Sequence, residues 1–156
     1  MNQFPTAITL TQAQWQHLTA HCNDAFPNEA CGLLLGCQHV VLAIQPLPNR
    51  HPQPATAFFA EPLALLATYR WAAQQGWQVL AVYHSHPDGS TQLSPTDLEG
   101  QRHLPGDWLL ASANCDYAGR LCGWRWQWFS PHPEKTNQTE RLLDSPTPYP
   151  YNSLVG

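Results

Sequence analysis

Charge is scarce in this chain. Asp, Glu, Lys and Arg make up 12% of its 156 residues, about half the share of an ordinary soluble domain. Lysine occurs once, at Lys135, and the other six cations are arginines that never form a basic run. A surface that tracks phosphates is therefore not expected, and nucleic acid is a poor candidate partner. No stretch of about 18 apolar residues exists, which argues against a membrane span. Met1-Asn2-Gln3-Phe4-Pro5 has no basic segment leading into an apolar one, so no secretory signal is expected. The five cysteines (22, 31, 37, 115 and 122) are odd in number and form no C-x-x-C pair. That excludes a disulfide framework and a cysteine zinc knuckle, and points to free thiols in a reducing cytoplasm.

What is present is a globular composition: 43% hydrophobic residues and a net charge of −4, in a length suited to one domain. Thr11 can cap a helix whose apolar positions Trp15, Leu18, Cys22 and Phe26 recur at helical steps until Pro27-Asn28. Ile8 and Leu10 read as a short strand before it. Glu29 to Gly36 reads as a buried strand with Val40 to Ile44 as its hairpin partner. Gln45 to Pro54, with four prolines, reads as an irregular loop, and Phe58-Phe59 as a return to a strand. A second helix is expected after Glu61-Pro62, with Leu65, Leu66, Tyr69 and Ala73 as its apolar stripe and Gly76 as its end. Trp77 to Tyr83 has the signature of a central strand, Trp108 to Ser112 of another. Leu121 to Phe129 alternates, with Trp124, Trp126 and Trp128 on one face, as in an edge or helix-covered strand. The reading is one domain over residues 1–130 and a proline-rich, extended or partly disordered tail over 131–156.

The chemistry concentrates at the end of the central strand. His84 and His86, two apart, point to the same face of a strand, an arrangement that suits a metal. Asp97 lies eleven residues later, on the first turn of a helix introduced by Ser94-Pro95, close enough for a loop to return a carboxylate to the same point. Two imidazoles and one carboxylate leave a fourth tetrahedral position open, the mark of a catalytic rather than a structural zinc site. Glu29 opens a leucine-rich run, where a carboxylate costs several kcal/mol unless paired, protonated or useful. On the strand next to His84 and His86 it would serve as general base, and the Ser94 hydroxyl could donate to an oxyanion. Taken singly, these residues also have plain readings: Ser94 and Asp97 as a helix cap and first-turn acid, Glu29 as a solvated edge carboxylate. Cys31, two residues from Glu29, is the one thiol near enough to affect the site.

The conjunction is more specific than its parts. Glu29 with Cys31-Gly32 behind it, then His84-Ser85-His86-Pro87, six residues, Ser94, two residues and Asp97, resembles without insertion the JAMM motif of the MPN zinc isopeptidases. The likeness runs from about Ile8 to Phe129, and the stretches from Asn49 to Trp77 and from Ser94 to Gly100 resemble the small prokaryotic branch. The resemblance implies an α+β fold, a mixed β-sheet flanked by helices and related to cytidine deaminases, although the deaminase H-x-E and P-C-x-x-C pattern is missing. It implies Zn²⁺ on His84, His86 and Asp97, Glu29 as general acid and base, and Ser94 at the oxyanion. It further implies a ubiquitin-like or sulfur-carrier protein ending in Gly-Gly as partner, cleaved after its last glycine. The alternatives are a small-peptide or cysteine-releasing peptidase of sulfur metabolism and a non-catalytic MPN binding module. A carrier tail would pair with a sheet edge near the metal, either beside the tryptophan-rich strand or beside the loop from Gln45 to Pro54.

Overall fold

A computed structural model describes residues 8–104, 106–130 and 142–143. The first helix, α1 (Gln12–Ala25), begins with a capping box: the Thr11 hydroxyl accepts from the Gln14 amide, and the Gln14 side chain accepts from the Thr11 amide. Trp15, Leu18 and Cys22 turn inward as the periodicity predicts. Strand β1 (Cys31–Cys37) lies between β2 (Val40–Leu47) and β3 (Gln78–His86), antiparallel to both. Helix α2 (Pro62–Gln75) precedes β3, and α3 (Pro95–His103) links β3 to β4 (Asp107–Cys115), its parallel neighbour. Strand β5 (Leu121–Phe129) returns antiparallel to β4, and a two-residue β6 (Leu142–Leu143) pairs with β5. The strand order is β2-β1-β3-β4-β5-β6, a mixed sheet with helices on both faces, and the α+β expectation holds.

The two faces bury different groups. One packs α1 on the sheet through Trp15, Leu18 and Cys22 against Leu34, Tyr83, Trp124 and Trp126. The other joins Leu33, Leu35, Val82 and Trp108 to Ala72 of α2 and to Leu104 just beyond α3. Cover on both sides is why β1 reads as one unbroken apolar run with Leu33, Leu34 and Leu35 all fully buried. Gly32 is required there: a Cβ would lie 2.5 Å from the Gln45 carbonyl oxygen and from the Tyr83 ring. No described helix is long and apolar enough to cross a membrane.

Several local expectations need correction. Strand β2 continues through Pro46 to Leu47, so the irregular loop starts three residues later than the prolines suggest. β2 is an edge strand, where a residue without an N–H is tolerated. Residues 8 to 10 contribute a single bridge, Thr9 to Val40, and Phe58-Phe59 form no strand, the only pairing there being a bridge between Asn49 and Ala60. The buried positions of α2 are Thr68 and Ala72, with Leu65 half-buried, while Leu66, Tyr69 and Ala73 face outward. A buried threonine is possible because its hydroxyl donates to the Ala64 carbonyl at 2.7 Å, and the small Ala72 lets the helix approach the sheet closely. Of the two readings of the tryptophan strand, helix-covered is the one found: Trp126 packs edge-on to Trp15 of α1, with ring centroids 5.2 Å apart. Apart from residues 142–143, the tail expectation lies outside the described residues.

Candidate metal centre

His84 and His86 occupy the end of β3 on the sheet face that carries α2 and α3. Both are buried, as are Asp97 and Glu29. Asp97 arrives through the start of α3, where Ser94 is the N-cap. The Ser94 hydroxyl accepts from the Asp97 amide at 3.0 Å, and the Ser94 amide donates to Asp97 Oδ2 at 2.8 Å. The capping box thus fixes the helix start and aims the carboxylate at the histidines together.

Three donor atoms converge. His84 Nε2, His86 Nε2 and Asp97 Oδ2 are separated by 3.2, 3.0 and 3.2 Å. Bonds of 2.0 to 2.1 Å to a tetrahedral ion would set such edges at roughly 3.3 Å, so the triangle has the size of one face of a zinc coordination shell. The tautomer fits as well. His86 Nδ1–H donates to the Ser90 carbonyl at 3.0 Å, leaving its Nε2 lone pair toward Asp97. The same carbonyl accepts from the buried Ser112 hydroxyl at 2.7 Å. His84 Nδ1 has no hydrogen-bond partner among the described residues. Its ring is held by aromatic neighbours, Phe58 at 4.8 Å and Trp108 at 5.4 Å between centroids. Among the described residues these three are the group placed to hold a metal ion.

Protonation preferences divide along the same lines. Burial pushes Asp97 up, but hydrogen bonds donated from Nε2 of His84 and, when its ring carries a second proton, of His86 outweigh it and hold the carboxyl well below the usual range. Burial dominates at His84 and lowers it, whereas at His86 the Asp97 carboxylate overcomes burial and raises it. Glu29 stands apart: burial lifts its carboxyl to about 8, against the pull of His86.

Glu29 lies two residues before β1 rather than on it, as the sequence run suggests, with Oε1 3.7 Å from His86 Nε2 and Oε2 buried without a hydrogen-bond partner. All five expected residues, Glu29, His84, His86, Ser94 and Asp97, therefore meet in one place. Cys31 does not join them. Its Sγ donates to the Leu47 carbonyl at 3.5 Å, and burial, then Glu29, pushes the thiol up to about 12. The tryptophan-rich strand is not beside the site either, since Trp124 and Trp126 lie on the α1 face of the sheet. The loop after β2 does flank it, through Phe58. Phe58, Trp108 and Ser112 escaped sequence reasoning; Phe58 sits in a loop without periodicity, and the other two reach the site only through strand register.

The family model for prokaryotic homologues of the JAB domain matches residues 11–135. A Thermus thermophilus protein named as a probable TtuB-protein conjugate cleaving protease is 45% identical over 83 residues, 53% of this chain and 55% of that one. A desampylase of Pyrococcus furiosus is 32% identical over 89 residues, 57% of this chain and 63% of that one. These matches span less than two thirds of either relative. Among solved structures, a protein of Desulfitobacterium hafniense superposes with a TM-score of 0.57 at 27% identity, covering 78% of this chain and 83% of that one.

Proposed function

The chain belongs to the prokaryotic branch of the JAB (JAMM/MPN) domain family, and on that premise we propose that it is a zinc-dependent isopeptidase. Its substrate would be a ubiquitin-like or sulfur-carrier protein, cut at the amide bond that follows the C-terminal glycine. The observation that carries this reading is the unpartnered carboxylate oxygen of Glu29 beside three converging ligand atoms. A structural site would close its fourth position with another ligand; here a carboxylate that can act as base stands 3.7 Å from His86 Nε2 instead. The names of the Thermus and Pyrococcus relatives support the substrate class.

His84, His86 and Asp97 would hold the metal, which when bound supplies Lewis acidity and makes water acidic enough to lose a proton near neutral pH. Glu29 takes that proton on its carboxylate as the water oxygen bonds to the scissile carbonyl carbon. The same carboxyl then returns the proton to the amine nitrogen as the C–N bond breaks. Burial raises this carboxyl, and a cation held beside it would draw it back toward the carboxylate that accepts the proton. The Ser94 hydroxyl oxygen accepts from the Asp97 amide, which leaves its own hydrogen to donate to the developing oxyanion. The wall at Phe58 excludes water on the His84 side.

The test is cleavage of a folded carrier whose Gly-Gly terminus is fused to a reporter, with mass spectrometry of the product. Cleavage after the second glycine, abolished by a chelator and restored by zinc, is expected. Equal efficiency on a free peptide with the same tail would shift the assignment to a small-peptide peptidase. Stoichiometric zinc without any cleavage would favour a binding module.

A further inference from the structure

Glu29 is weakly held by its own carboxylate, since Oε2 has no hydrogen-bond partner and Oε1 is 3.7 Å from His86. Its position must therefore come from its backbone, and that backbone lies just outside the β1 ladder. The next residue is tied to β3: the Ala30 amide donates to the Ser85 hydroxyl at 2.8 Å, and the Ser85 amide donates to the Ala30 carbonyl at 3.1 Å. Glu29 itself is tied elsewhere. Its amide donates to the Pro54 carbonyl at 2.7 Å, and its carbonyl accepts from Asn49 Nδ2 at 3.1 Å. Both partners belong to the irregular loop after β2.

Asn49 uses its whole side chain in doing so. Nδ2 also donates to the Ala57 carbonyl at 3.1 Å, and Oδ1 accepts from the His51 and Phe59 amides at 3.0 Å each. A side-chain amide has two N–H donors and two acceptor lone pairs, and all four are engaged. Ala57 and Phe59 bracket Phe58, the residue whose ring lies against His84. One side chain thus joins the carboxylate-bearing residue to the loop that walls a metal-ligand histidine.

We propose that Asn49 is the positioning residue of this site. It sets the Glu29 backbone, and through it the carboxylate, at the working distance from the His84, His86 and Asp97 cluster, while holding Phe58 in place. The inference rests on the hydrolase reading for its catalytic consequence and on the hydrogen bonds alone for the clamp. Asn49→Asp keeps the shape but turns two donors into acceptors facing the Glu29 and Ala57 carbonyl oxygens; Asn49→Ser shortens the side chain and loses the reach. A displaced base slows the chemical step without removing a substrate contact.

With zinc-loaded full-length protein and the carrier fusion, both variants should lose roughly 10- to 100-fold in kcat. KM should stay within about threefold. Zinc affinity, measured by competition with a chelator, should fall far less than kcat, because all three ligands remain and Trp108 still flanks His84. A raised KM with kcat intact would overturn the proposal, making the loop a substrate wall only; so would unaltered kcat and KM. In the wild type, the Asn49 side-chain amide protons should exchange with solvent far more slowly than those of an exposed asparagine, as read by ¹⁵N-resolved exchange. Exchange at the free rate would also overturn the clamp. This measurement needs neither variant nor turnover, so it decides the clamp even where a substitution prevents folding. Absence of wild-type cleavage would count against the hydrolase reading alone.

Discussion

In the proposed reaction Glu29 and Ser94 would carry the chemistry, and each role is separable from its structural duty. Glu29→Gln preserves shape and leaves the three ligands in place, so zinc stoichiometry should be unchanged while turnover falls by roughly 10²- to 10⁴-fold. The same pair tests why the carboxyl is raised. With its folded value at about 8 against the ordinary 4.5, the neutral form is the one the fold favours. The stability it contributes is fully present below about 4.5 and is lost as pH rises through about 8. In the presence of a chelator, urea melts of the wild type and Glu29→Gln should therefore diverge across that window, by at most about 1.4 kcal/mol per pH unit. The variant gains relative to wild type as pH rises, and parallel curves would mean that Glu29 ionises freely in the fold. For Ser94, glycine is the informative substitution, because glycine caps a helix within a few tenths of a kcal/mol of serine. Ser94→Gly should keep thermal stability and lose about 10²-fold in kcat if the hydroxyl serves the oxyanion. A loss of stability confined to the cap-disrupting Ser94→Ala, with kcat unchanged in both variants, would reduce Ser94 to a helix cap.

At the scale of elements, the sheet explains both what could be read from the sequence and what could not. The His84 and His86 pair was legible because strand side chains alternate. Asp97 was legible because Ser94-Pro95 announces a helix that must start near where β3 ends. The burial of β1 was legible from Leu33-Leu34-Leu35. What no local pattern encodes is register. Ser112 supports the Ser90 carbonyl because it lies opposite His86 across the parallel β3–β4 pair, and Trp108, opposite Val82, meets His84 diagonally on the same face. The α2 stripe was misread because hydrophobicity alone favoured Leu66 and Tyr69 over Thr68, whose bond to the Ala64 carbonyl makes burial cheap. Asn49 opens a stretch that resembles the family, but nothing local shows which groups its side chain would hold. A prediction belongs here: Gly32→Ala forces a methyl into the Gln45 carbonyl and the Tyr83 ring, separating β1 from both neighbours. It should cost about 1 to 3 kcal/mol in chemical denaturation. A change within experimental error would show that β1 is not packed as tightly as described.

For the molecule as a whole, the two sheet faces divide labour. The α1 face, with its tryptophans, is core; the face under α2 and α3 gives up core positions to His84, His86 and Asp97. Burying four ionisable groups there opposes folding, and a cation bridging three of them would relieve that opposition. Zinc binding should therefore stabilise the fold through linkage, by about 4 kcal/mol at a free concentration a thousand times Kd. In a domain of this size that is a rise in Tm on the order of 10 °C, reversed by chelation. In the proposed function Glu29 and a zinc ion on His84, His86 and Asp97 together would cut the bond after a carrier's Gly-Gly terminus. The most direct measurement is cleavage of a Gly-Gly carrier fusion by zinc-loaded wild type and zinc-loaded Glu29→Gln side by side. Cleavage by the wild type alone, at equal zinc content, is the predicted result; comparable rates for the two proteins would contradict it.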